Sequence, residues 1–81
     1  MREPKVSTED LRRILIENGI TNDLANKGSV QAFAVEVGCS PRTIYRVLNL
    51  RKPGTELDLA DRILMALDLT LRDCELIFED G

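Results

Sequence analysis

Residues 31–49, QAFAVEVGCSPRTIYRVLN, decide how the chain is read. Two short helical patterns meet here at Gly38-Cys39-Ser40. Phe33, Ala34 and Val37 share one face before the turn, and Ile44, Val47 and Leu48 share one after it. Gly38 stands where a positive φ is cheap for glycine and costly for most other residues. Ser40 is a favourable N-cap, and Pro41 falls at the first helical position, where its missing N–H is not needed. A helix, a short glycine-containing turn and a second capped helix make the helix-turn-helix outline. The motif is placed at residues 29–50, its second helix running from Pro41 to about Leu50.

The flanking sequence reads as support for that pair. Residues 1–6, MREPKV, are polar and contain a proline, and are expected to be a short mobile arm. Ser7 is expected to cap a first helix, with Asp10 at N3, Val6 and Leu11 as a hydrophobic staple, and Leu11, Ile14 and Leu15 as the buried stripe. Asn18-Gly19 should close it. Residues 20–28 read as a loop with one helical turn, anchored by Ile20 and Leu24. After the motif, Arg51-Lys52-Pro53-Gly54 breaks the chain. A fourth helix, capped by Thr55 or Asp58, carries Leu59, Ile63, Leu64 and Leu67. Thr70, with Asp73 at N3, is expected to cap a fifth helix over 71–80, with Cys74, Ile77 and Phe78 facing inward and residues 79–81 frayed. No stretch shows strand-like alternation. The expected architecture is therefore all-α: one domain, residues 1–81, built as a compact bundle of about five short helices.

Composition narrows what such a domain can do. Eighty-one residues are near the lower limit for a self-sufficient core, and three aromatics (Phe33, Tyr45, Phe78) leave that core aliphatic. No apolar run approaches the ~20 residues needed to cross a bilayer, and the N-terminus lacks a signal-peptide core, so a cytosolic protein is expected. There is no histidine. Its absence removes the commonest general base and leaves Cys39 and Cys74 unable to build a zinc site alone. The thiols are expected to act as small, half-buried apolar residues. Neither a metal, a cofactor nor an enzymatic activity is expected.

The net charge of −3 conceals a strong segregation. Residues 1–39 hold five basic and six acidic side chains, a net −1. Residues 40–55 hold Arg42, Arg46, Arg51 and Lys52 and no acid, a net +4. Residues 56–81 hold Arg62 and Arg72 against eight acids, a net −6. The unopposed positive charge thus lies on the second motif helix and the loop after it. With Ile44, Val47 and Leu48 turned inward, the opposite side of that helix carries Arg42, Tyr45, Arg46 and Asn49, with Thr43 on the flank. Arg42 and Arg46 are four residues apart, and like charges so placed cost a few tenths of a kcal/mol. A polyanion opposite them offsets that cost. An arginine in the major groove of DNA can grip guanine O6 and N7 together. The base-reading candidates are therefore Arg42, Arg46, Thr43 and Tyr45. The phosphate candidates are Ser40, Asn49, Arg51 and Lys52, which would position the protein without reading sequence. The plain alternative is an ordinary solvated helix face. The eight acids are read as a solvated surface turned away from DNA.

The segments FAVEVGCSPRTIYRVLN and RKPGTELDLADRILMALDL resemble the lambda-repressor-like helix-turn-helix proteins (the Cro/repressor or XRE family). The resemblance rests on Ala34 four residues before Gly38, on Ile44, on the Arg51-Lys52-Pro53 loop and on a leucine-rich fourth helix ending in Ala66-Leu67. It covers roughly residues 29–69. It implies a homodimer on a near-palindromic operator, transcriptional control of repressor type in a prokaryote or phage, and base reading by Arg42 and Arg46. Asn49 matches a position often near phosphate. Two departures stand out. The family's phosphate-holding glutamine position is Val30 here, and a glycine that often follows the recognition helix is Leu50. A second reading keeps the same scaffold as a protein-interaction module, an antitoxin or a regulator of a polymerase factor, docking a partner through the helix 71–80.

Overall fold

The computed structural model describes the backbone of residues 2–80 and the side chains of residues 3–77. The inward place expected for Phe78 lies outside the described side chains, and residue 81 outside the described backbone; residues 79 and 80, expected to fray, are instead paired in a strand with residues 3 and 2. Strand β1 (Arg2–Ser7) leads into helix α1 (Thr8–Glu17), a 3₁₀ turn at Leu24–Asn26, helix α2 (Lys27–Val37) and helix α3 (Pro41–Leu48). Strand β2 (Gly54–Glu56), helix α4 (Leu57–Ala66), a 3₁₀ turn at Leu71–Asp73 and strand β3 (Leu76–Asp80) complete the order. The all-α expectation is overturned. Four helices pack with a three-stranded antiparallel sheet, ordered β2-β1-β3.

Both corrections come from the ends of the chain. The segment expected to be a mobile arm is the central strand of the sheet. Lys5, Val6 and Ser7 pair with Glu56, Thr55 and Gly54 on one side, and residues 2–6 pair with residues 76–80 on the other. Val6 is wholly buried in the core. Pro4 sits where β1 has β3 alone beside it, the edge setting in which a strand tolerates a residue without an N–H. The expected fifth helix, and with it the partner-docking helix of the second reading, does not form. Thr70 and Asp73 do make the reciprocal capping box, but it closes a single 3₁₀ turn. Cys74 is already extended at φ −125°, ψ 151°. The Glu75 amide then donates to Asp10 Oδ2, and its carbonyl accepts from the Ser7 amide at 2.8 Å. These long-range contacts feed the following residues to β1 and override the local helical spacing.

The helices obey local rules more closely. The Ser7 hydroxyl accepts from the Asp10 amide at 3.3 Å, as a cap should. Leu11, Ile14 and Leu15 form the buried stripe of α1, and Val30, Phe33, Ala34 and Val37 that of α2. α2 begins at Lys27, ahead of the expected start at Ser29 or Val30, and α3 stops at Leu48 rather than Leu50. α4 follows β2 directly, so neither Thr55 nor Asp58 caps it; Glu56 holds that position. Thr55 lies in the strand instead, its hydroxyl 2.8 Å from that of Thr8 at the start of α1, both buried. Ile20 is buried as expected, whereas Leu24 is 90% exposed and anchors nothing.

All four helices end in one way. After α1, Ile20 N–H bonds Leu15 carbonyl and Gly19 N–H bonds Ile16 carbonyl. The same six-to-one and five-to-two pair closes α2 at Gly38, α3 at Leu50 and α4 at Asp68. Each turn needs a left-handed residue. Glycine supplies it twice, at φ 80° and 85°, but Leu50 and Asp68 are forced to φ 52° and 60°. For leucine that conformation costs ~1–2 kcal/mol. Leu50→Gly is therefore expected to stabilise the domain by about 1 kcal/mol, seen as a rise of several degrees in thermal melting. An unchanged or lower melting temperature would mean that the half-exposed Leu50 side chain contributes more than its backbone costs.

Candidate functional site

α3 is held by three buried side chains, Ile44, Val47 and Leu48, none more than 4% exposed. Its remaining surface is free to face outward. Arg42 and Arg46 are exposed, and Thr43 and Tyr45 half-buried at their flanks. The α3 C-terminus is tied at two points. Arg12 of α1 donates from Nε to the Leu48 carbonyl at 3.1 Å, which satisfies one of the acceptors a helix end leaves open. Asn22 donates from Nδ2 to Asn49 Oδ1 at 2.9 Å. Arg13, the neighbour of Arg12, pairs along α1 instead, with Asp10 at 3.8 Å and Glu17 at 3.4 Å.

Beside α3 runs an open groove of about 790 Å³. Seven of the eight residues singled out from the sequence line it: Arg42, Thr43, Tyr45, Arg46, Asn49, Arg51 and Lys52. Ser40 is not among them. It holds the N-cap position of α3, but its hydroxyl meets Thr43 Oγ1 at 3.2 Å and makes no side-chain cap. A second wall comes from strands β1 and β2, contributing Lys5, Gly54, Thr55 and Glu56, with Thr8 at the start of α1. Sequence reasoning missed this wall because it depends on β1, which carries no local signal of being a strand. Five cations and one carboxylate therefore border the groove, a net +4. Glu56 departs from the expectation that the acids after residue 55 turn away from the basic face.

Among the described residues, no carboxylate pairs with Arg42, Arg46, Arg51 or Lys52; the acidic α4 spends Asp58 on Arg62 at 3.4 Å instead. Such unneutralised cations on a concave surface focus positive potential and attract an extended anion. Val30 is wholly buried, so the phosphate-holding role that the family gives to this position has no counterpart here. Gln31 next to it is exposed.

Both cysteines are half-buried and unpaired. Burial pushes the Cys39 thiol up, partly opposed by Arg62. Burial also pushes up Cys74, reinforced by Asp10 and Asp73. Neither thiol gains the thiolate character of a nucleophile. Among the described residues, no helix is long and apolar enough to cross a membrane. Comparison with protein-family models, curated proteins and solved structures found no match for this chain.

Proposed function

We propose that this protein is a sequence-specific duplex DNA-binding regulator that inserts α3 into the major groove. The observation that carries the reading is the coincidence of two independent features. The exposed face of the second helix of a helix-turn-helix borders the groove, and Arg42, Arg46, Arg51 and Lys52 have no carboxylate partners among the described residues. In this geometry Pro41 and Arg42 open the helix, the end that goes deepest into the major groove in such motifs. Arg42 and Arg46 read bases, with Thr43 and Tyr45 beside them. Asn49, Arg51 and Lys52 contact phosphates and set the register. Ser40 at the turn stays a phosphate candidate through the N-terminal end of α3. The resemblance to lambda-repressor-like proteins supports the same role and adds a homodimer on a near-palindromic operator, controlling transcription. The sheet is a departure from the helical bundle that the resemblance implies.

Selection of bound duplexes from a random pool tests the function. A recurrent motif repeated with two-fold symmetry, its half-sites about one helical turn apart, is the expected result. A recurrent motif without symmetry would keep the base reading and remove the dimer. Failure to retain any duplex, even non-specifically at low salt, would overturn DNA binding and favour a partner protein.

A further inference from the structure

We infer that Asn22 is a positioning residue for DNA binding: it holds the Asn49 amide at the end of α3 by its oxygen and leaves the Asn49 Nδ2 group as the donor for a phosphate oxygen. This rests on the proposed DNA-binding function and extends it to residues 20–28, outside the helix-turn-helix.

Asn49 lines the groove, and Asn22 does not. The two lie 27 residues apart in the chain, yet Asn22 donates from Nδ2 to Asn49 Oδ1 at 2.9 Å. An asparagine amide presents an acceptor at one end and a donor at the other. A phosphate oxygen only accepts, so it takes the nitrogen end and repels the oxygen end. With Oδ1 engaged by Asn22, the end that Asn49 has left to offer is the donor. The bond thus selects the orientation of the amide that an anion needs.

Both partners stand on fixed backbone. Ile20 is buried, and its amide donates to the Leu15 carbonyl at 2.8 Å. The Thr21 hydroxyl accepts from the Asp23 amide at 3.3 Å and from Asn26 Nδ2, closing the turn that carries Asn22. On the other side, the Asn49 backbone amide donates to the Tyr45 carbonyl at 2.9 Å, and Arg12 holds the Leu48 carbonyl just before it. Asn22 and Asn49 are both exposed and neutral, so their bond adds little to folding. Its effect is to order Asn49 before DNA arrives. A side chain ordered in advance loses less freedom on binding.

A double-mutant cycle on duplex binding tests this. Asn22→Ala is expected to weaken binding to a random-sequence duplex about two- to ten-fold, the cost of ordering one side chain on binding. The loss should be the same on a selected site, because a phosphate contact reads no base. The slope of log affinity against log salt should stay as in the wild-type chain, since no cation is removed. Asn49→Ala should also bind more weakly, and in that background Asn22→Ala should change nothing further. Comparing the two backgrounds cancels any general effect of Asn22→Ala on folding. In labelled wild-type protein, duplex should shift the Asn49 side-chain amide resonance, and by less in Asn22→Ala. Equal losses in both backgrounds, full binding by Asn49→Ala, or full binding by Asn22→Ala, while the wild-type chain binds duplex, overturn the role of Asn22 and leave α3 binding intact. A wild-type chain that binds no duplex overturns both.

Discussion

Replacing Arg42 and Arg46 together with alanine is expected to abolish sequence-specific duplex binding and leave the fold as it is. Each arginine that grips a guanine bidentately is worth ~1–3 kcal/mol of discrimination. Losing both should lower specific affinity by roughly one and a half to four orders of magnitude. Stability should be nearly unaffected, because both side chains are exposed and neither has an ion-pair partner among the described residues. Removing two like charges one turn apart should even relieve a few tenths of a kcal/mol. Mobility shifts on a selected site, alongside thermal melting by circular dichroism, separate the two effects. Binding that survives with its salt slope intact would mean that another face of the molecule meets DNA.

The second large effect is on folding. Val6→Asp is expected to unfold the domain or leave it barely stable. Val6 is fully buried, and it sits on the central strand opposite Thr55 and Leu76. The substitution forfeits ~1.5–3 kcal/mol of apolar burial. It also places a carboxylate where its desolvation costs several kcal/mol more. Domains of this kind have ~5–15 kcal/mol in total, and a chain of this size belongs near the lower end. Val6→Ala should cost less, about 1–3 kcal/mol, and should fold. Equilibrium denaturation measures both. If residues 1–6 were a dispensable arm, Val6→Asp would melt like the wild-type chain.

The contrast between α3 and β1 explains what could be read from the sequence. α3 is specified within ten residues: a serine before it, a proline at its first turn, and three apolar residues at helical spacing. Its exposed face follows from that spacing, so Arg42, Tyr45, Arg46 and Asn49 were legible as one surface. β1 has a single buried apolar residue, Val6, and a proline in six positions, and its partners lie about fifty and seventy residues away. Nothing local marks it as a strand. β3 misleads in a different way. Cys74, Ile77 and Phe78 have helical spacing after a good cap, and the cap does form, but pairing with β1 takes the chain after one turn. The groove was thus half legible. The α3 face and the basic loop were visible, whereas Lys5 and Glu56 join the site only through the sheet. Leu50 shows the reverse: it stands where the family often has glycine, and the backbone keeps the glycine conformation at φ 52° despite the side chain.

The central claim, that α3 and its groove meet duplex DNA, is tested most directly by titrating an isotope-labelled sample with a random-sequence duplex at low salt and following the backbone amide resonances. The largest shifts are expected at the start and along the exposed face of α3, around Arg42, Tyr45, Arg46 and Asn49. Smaller ones are expected at Arg51, Lys52 and Lys5, all fading as salt is raised. Shifts confined to surfaces outside α3 and the groove, such as the exposed Leu24 and Val35, or none at all, would contradict it.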